Sequence, residues 1–262
     1  MITTWPQFHR QVRRRQDKLL ATLDRYPDSI LVTGCQRSGT TMLARLFTGT
    51  EGMVNYWFGR DDELDAALVL SGRHEEMPRG RYCFQTTYLN ENVGEYFEHA
   101  GHRILWVLRN PHSVVYSMLY NWGRFGSRFA LNELFDAVGQ PHASEQERRR
   151  RAWLGRFAVS PLHRACYAYV GKVSQLFRLA GEPLDNRLIV VEYDELVRRK
   201  EALLPWLYDQ VGLPWKAEYA DSVRGGSVDK ASRLTSRERE TIDRICLPTY
   251  ERARACVTSP AA

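Results

Sequence analysis

An α/β fold of three layers, a central parallel sheet flanked by helices, is predicted by three observations. Short aliphatic runs alternate with stretches of helical periodicity, an order that joins successive strands by crossovers. The runs SILVT (29–33), RILWVL (103–108) and LIVV (188–191) are continuously apolar rather than alternating, as strands buried on both faces are. The first runs straight into a glycine-punctuated loop and then the helical pattern TTMLARLF.

From the N-terminus, Phe8, Val12, Leu19, Leu20 and Leu23 recur near helical spacing, which predicts a helix over about 5–25, ended by Pro27. SILVT is the first strand, and a helix follows the loop at Gly34. A second helix opens at DDELDAALVL, where Asp61 or Asp62 can cap the first turn. RYCFQT (81–86) reads as a strand and LNENVGEYFEHA as the helix after it. RILWVL is the next strand, and its helix starts at Pro111, a residue suited to a first helical position because it needs no N–H there. A mostly helical region spans about 143–180, with a break at Pro161. LIVV is followed by ALLPWLYDQVGLPW, a helix and a turn, and 236–254 reads as a closing helix. One domain over 1–262, with a helical insertion around 124–180, is the expected organisation.

The 262 residues are 44% hydrophobic and 26% charged, the profile of a globular chain, and Lys+Arg exceed Asp+Glu by 37 to 31, a net +6. That balance suits an anionic ligand; nucleic acid is not the expected partner. The Arg148–Arg151 run reads as a solvated helix face, with a phosphorylated or sulfated glycan as the alternative. The five cysteines form no CxxC pair and no metal-like spacing with histidine, so reduced thiols and a cytoplasmic location are expected. No apolar run reaches membrane-spanning length.

TGCQRSGTT (33–41) places Gly34 and Gly39 four residues apart between a strand and a helix. Such a turn gathers backbone N–H groups on an anion, and the helix N-terminus adds partial positive charge. Arg37 brings a planar donor set suited to phosphate or sulfate, and Thr40 and Thr41 bring hydroxyls. The lysine that a nucleotide triphosphatase carries after the second glycine is replaced by Thr40, which disfavours handling of a terminal phosphoryl group. WVLRNPHSVVYS repeats the logic: Arg109 stands at a strand's C-terminal edge, and Ser113 and Ser117 share a face of the next helix.

Together these blocks resemble the sulfotransferases that use 3′-phosphoadenosine 5′-phosphosulfate (PAPS), with GCQRSGTT similar to the 5′-phosphosulfate loop and RNPHSVVYS to the 3′-phosphate motif. LIVVEYDELV followed by VGLPW is similar to a third block of that family. The resemblance implies a fold like that of the P-loop-containing nucleoside triphosphate hydrolases. It also implies transfer of a sulfuryl group to a hydroxyl or amine of a small-molecule, lipid or carbohydrate acceptor, without a metal. By it, Arg37, Ser38, Gly39, Thr40 and Thr41 hold the 5′-phosphosulfate, and Arg109 and Ser117 the 3′-phosphate. VRGGSVDKASR offers Arg224 and Lys230 to the same phosphate. The general base falls among Asp61, Asp62 and Glu63, with His74 as a further candidate and helix capping as the competing role of the acidic trio. Where many members carry a Lys-Thr-Pro or Lys-Thr-His run on the second strand, this chain has Gln85, Thr86 and Thr87. Either Arg37 takes the leaving-group role or activity is weak. Two rival readings are a P-loop kinase or NTPase and a nucleotide-binding protein without catalysis.

Overall fold

The structure, a computed structural model, describes residues 2–59, 61–74, 77–90, 93–122, 134–154, 159–181, 184, 186–223, 225 and 228–258. Four strands, β1 Ile30–Gly34, β2 Cys83–Gln85, β3 Arg103–Leu108 and β4 Leu188–Glu192, pair in parallel in the order β2-β1-β3-β4. The predicted parallel sheet is therefore present, its second strand shorter than the 81–86 expected.

Helices among the described residues are α1 Trp5–Phe8, α2 Thr40–Thr48, α3 Asp62–Leu70, α4 Glu95–Glu98, α5 Pro111–Tyr120 and α6 Glu145–Leu154. They continue with α7 Pro161–Ala180, α8 Tyr193–Arg198, α9 Lys200–Gln210 and α10 Ser236–Arg254. Alternation along the strands builds the layers, because neighbouring side chains leave opposite faces of a sheet. Ile30, Val32, Leu105, Val107, Ile189 and Val191 pack with Leu43 and Phe47 of α2 and Leu204 and Leu207 of α9. Leu31, Ile104, Trp106 and Val190 pack on the other side with Val114 and Met118 of α5, Val170 and Val173 of α7 and Ile242 of α10.

Two elements differ from expectation. The 5–25 region is not one helix: α1 gives way to a π-helical turn at His9–Arg13 and a 3-10 turn at Leu23–Arg25. The buried carboxylate of Glu95 accepts from the backbone N–H of both Leu19 and Leu20 at 2.6 Å, so those amides are claimed from outside and the helical ladder ends before them. Of the helix expected over 89–100, α4 is the α-helical turn among the described residues. The expected helices around Pro161 are α6 and α7, the second packed against α5 and α10; residues 124–133 and 155–158 of the expected insertion lie outside the described residues. No described helix is long and apolar enough to cross a membrane.

The strand order fixes where a ligand goes. The chain leaves β1 toward β2 on one side and leaves β3 toward β4 on the other, so the crevice at the C-terminal ends of β1 and β3 is the point where the winding reverses, the usual binding position in open α/β sheets.

Candidate active site

At the end of β1 the chain must turn sharply against β3. Gly34 has φ +144°, and a Cβ there would run into the carbonyl oxygen of Val107. Arg37 takes the left-handed conformation at φ 72°, unusual for a residue with a side chain, and Gly39 at φ 102° caps α2. A Cβ on Gly39 would overlap the ring of Tyr193. The backbone is thus bent into a cradle ahead of the α2 N-terminus, where helix geometry favours an anion. Ser38 supports that shape: it is fully buried, and its hydroxyl donates to the Cys35 carbonyl at 2.6 Å. Its side chain is not among those bounding the cavity.

A cavity of about 500 Å³ opens over this loop. Arg37, Thr40, Thr41, Arg109, Ser117 and Lys230 bound it on one side, and Asp61, Asp62, Glu63 and Gln85 on the other. Of the residues expected from the sequence, Arg224 lies outside the described residues, and His74 does not line the cavity. The His74 ring packs on Phe58 at 4.0 Å.

The two anion motifs touch. Arg37 Nε donates to Ser117 Oγ at 2.9 Å, and a guanidinium N–H of Arg109 donates to the Arg37 carbonyl at 3.3 Å. Arg109 is almost entirely buried, pairs with Asp194 at 3.4 Å and lies 4.3 Å over the Tyr193 ring. Lys230 closes the group from the 3-10 turn Val228–Arg233. Burial first, and then the Arg109 and Arg37 charges, push the Lys230 pKa down. Burial and Arg109 lower that of Arg37 in the same way. Three cations, of which Arg109 is paired with Asp194, give this side of the cavity a positive excess that suits an anion.

The acidic trio separates into three roles. Asp61 is the N-cap of α3, accepting from the backbone N–H of Glu63 and Leu64 at 3.1 Å. Asp62 is held by Arg45 through two hydrogen bonds of 3.0 and 2.8 Å. Glu63 reaches toward the second strand, accepting from Gln85 Nε2 at 2.7 Å and from the Thr87 hydroxyl. Burial is the main cause that pushes its pKa up to about 7; the nearby Asp61 adds to it, while Thr87, Lys172 and Gln85 oppose it. A carboxyl that loses its proton near neutrality suits a general base.

Gln85, noted in the sequence only as a departure, links the two halves of the site. Its Nε2 lies 3.0 Å from Thr40 Oγ1, 2.9 Å from Thr41 Oγ1 and 2.7 Å from Glu63 Oε1. The two amide N–H groups are shared among these three oxygens, and a threonine whose oxygen accepts one of them keeps its own O–H to donate elsewhere. Tyr193, inside the quoted LIVVEYDELV block, was not singled out either. Its signal was positional, as the first residue of the helix after β4.

Other features read from the sequence find plain structural roles. Cys35 is buried, and burial pushes its thiol up to about 12, so it is inert at neutral pH. Arg151 is buried against Asp136 at 2.6 Å, while Arg148, Arg149 and Arg150 are exposed, the solvated face expected. Tyr56 belongs to the core, and Trp122 lines the cavity. Among the described residues no three His, Cys, Asp or Glu side chains gather as a metal site would require.

No protein-family model and no curated protein matches the chain. Solved structures do. The sulfotransferase domain from the curacin biosynthetic pathway aligns over 89% of this chain and 99% of its own, with TM-score 0.51 and 13% identity. The mouse sulfotransferase SULT7A1, complexed with PAP, aligns over 92% and 93%, with TM-score 0.51 and 14% identity. A sulfotransferase from Alicyclobacillus acidocaldarius aligns over 90% and 97%, with TM-score 0.50 and 18% identity. With its four-stranded parallel sheet and its cavity over the β1 and β3 ends, the chain has the fold of the sulfotransferases.

Proposed function

We propose that the protein is a sulfotransferase that moves a sulfuryl group from PAPS to a hydroxyl or amine of a small-molecule, lipid or carbohydrate acceptor. The observation that carries this reading is the convergence of two separate anion motifs, after β1 and after β3, on one cavity with a near-neutral carboxyl facing them. A single phosphate needs one such motif; a nucleotide with phosphates at both its 3′ and 5′ positions uses two. Arg37, Thr40, Thr41 and the α2 N-terminus take the 5′-phosphosulfate, and Arg109, Ser117 and Lys230 take the 3′-phosphate. The mouse SULT7A1 complex, which contains PAP on a similar fold, supports a PAPS-type donor.

In the transfer, Glu63 accepts the proton of the acceptor hydroxyl as its oxygen bonds to sulfur. The bond from sulfur to the bridging phosphate oxygen breaks, releasing adenosine 3′,5′-bisphosphate. Charge builds on that leaving phosphate, and Arg37 with the loop N–H groups is the donor set beside it. No cation stands on the second strand, so Arg37 carries the leaving-group role. The sulfuryl group bears less charge than a terminal phosphoryl group, so the reaction does not require a bridging metal.

The test is transfer of label from 35S-PAPS to a panel of phenols, aliphatic alcohols, sugars and amines in the presence of EDTA. Label in an acceptor, lost in Glu63→Gln, supports the reading. Donor binding with no transfer to any acceptor class would instead mark a binding protein. Stabilisation by magnesium-ATP but not by adenosine 3′,5′-bisphosphate would mark a kinase or NTPase.

A further inference from the structure

Lys172 lies in the middle of α7 and has no exposed surface. Its ammonium donates to the Thr87 carbonyl at 2.7 Å and to Asn90 Oδ1 at 2.8 Å. Burying a lysine charge is far more costly than burying an apolar chain of equal size, so a purely space-filling role would be better met by methionine or leucine. What the ammonium holds points to a different role. The hydroxyl of Thr87 donates to Glu63 Oε1. Asn90 donates through Nδ2 to Thr33 Oγ1 at 2.9 Å and to the Gly34 carbonyl at 2.8 Å, where β1 passes into the anion loop. Gln36 of that loop donates to the same Thr87 carbonyl at 3.3 Å. One buried cation, delivered by a helix on the far side of the sheet from α2, therefore sits behind both halves of the site.

We propose that Lys172 is a positioning residue for the transfer: through Thr87 it sets the carboxylate of Glu63, and through Asn90 it fixes the entrance to the anion loop. The inference rests on the sulfotransferase reading for its purpose, but not for its test. Charged groups act on Glu63 from several elements. Lys172 on α7 favours its ionised form, Asp61 at the start of α3 opposes it, and Arg37 of the loop interacts with it attractively. Removing the Lys172 charge leaves Asp61 and burial less opposed, which displaces the Glu63 titration upward.

The Glu63 carboxyl can be followed by 13C NMR in glutamate-labelled protein, with Glu63→Gln identifying its signal; neither donor nor acceptor is needed. In Lys172→Met, and in Lys172→Gln, which keeps a neutral donor at the site, the midpoint is expected to rise by roughly half a unit or more. In Lys172→Arg it stays nearer the wild-type value. An unchanged midpoint in a folded neutral variant, with only a lower melting temperature, would reduce Lys172 to a structural role and overturn the proposal. Failure of the sulfotransferase reading would look different: wild-type protein would not bind adenosine 3′,5′-bisphosphate, whatever the NMR titration gave.

Discussion

Arg37 Nε donates to Ser117 Oγ at 2.9 Å, a contact between residues eighty positions apart that joins the loop after β1 to the helix after β3. It makes the two anion motifs one surface, on which the proposed function sets each end of a doubly phosphorylated nucleotide against its own arginine. Arg109, donating to the Arg37 carbonyl, ties the second arginine into the same surface.

Removing either arginine removes charge-assisted hydrogen bonds, each worth about 1.5–3 kcal/mol. Arg37→Ala and Arg109→Ala are therefore expected to weaken adenosine 3′,5′-bisphosphate binding by roughly tenfold to a hundredfold each, read by calorimetry. Ser117→Ala loses a neutral hydroxyl and should cost about tenfold or less. Unchanged affinity in both arginine variants would mean that the cavity is not the nucleotide site.

Glu63 and Asp61 should part company on mutation. Glu63→Gln keeps the hydrogen-bonding shape but cannot take a proton, so turnover is expected to fall about a hundredfold to ten-thousandfold with bisphosphate affinity nearly unchanged. Asp61→Ala removes a helix cap and should show mainly as about 1 kcal/mol of lost stability. The turnover of wild-type protein should fall as pH drops below about 7, where Glu63 becomes protonated. A flat profile between pH 5.5 and 8 would place the base elsewhere.

The same carboxyl makes a stability prediction of opposite sense. Its pKa is raised from 4.5 to about 7 in the folded chain, so the folded state binds more protons than the unfolded one between those values. Its contribution to stability is therefore lost as pH rises through that window and stays lost above it. Glu63→Gln does not titrate, so its melting temperature relative to wild type should climb from about pH 4.5 to 7 and then level off. A difference independent of pH would show that the carboxyl is not held in its protonated form by burial.

Gly39→Ala should abolish nucleotide binding. The φ of +102° is strained for any residue with a Cβ, at about 1–3 kcal/mol, and the new methyl would overlap the Tyr193 ring. Adding Tyr193→Ala relieves the overlap but not the backbone strain, so binding should return only in part. Full binding by Gly39→Ala alone would contradict the loop geometry.

The sheet and the anion loop were legible because their signals are local. A buried parallel strand is a run of aliphatic residues, and a strand–glycine–helix junction is contiguous in sequence. Arg37, Thr40, Thr41, Arg109, Ser117 and Lys230 were all named from such runs, and all bound the one cavity. The candidates for the base were His74 and three neighbours, since Asp61, Asp62 and Glu63 look alike until α3 is placed. Its register then gives the first to capping, the second to Arg45 and the third to the cavity. Lys172 and Gln85 carried no local sign. A lysine within a helix reads as solvated, and only the packing of α7 against β1 and the segment after β2 makes this one buried. The broken helix over 5–25 failed for the same reason: the groups that claim the Leu19 and Leu20 amides belong to Glu95, far along the chain.

The most direct test of the account is a calorimetric titration, in EDTA, of adenosine 3′,5′-bisphosphate and of adenosine 5′-monophosphate into the wild-type protein. The account predicts that the bisphosphate binds at least about tenfold more tightly, since only it engages Arg109, Ser117 and Lys230 as well as the loop. Equal affinity for the two nucleotides, or no binding of either, would contradict it.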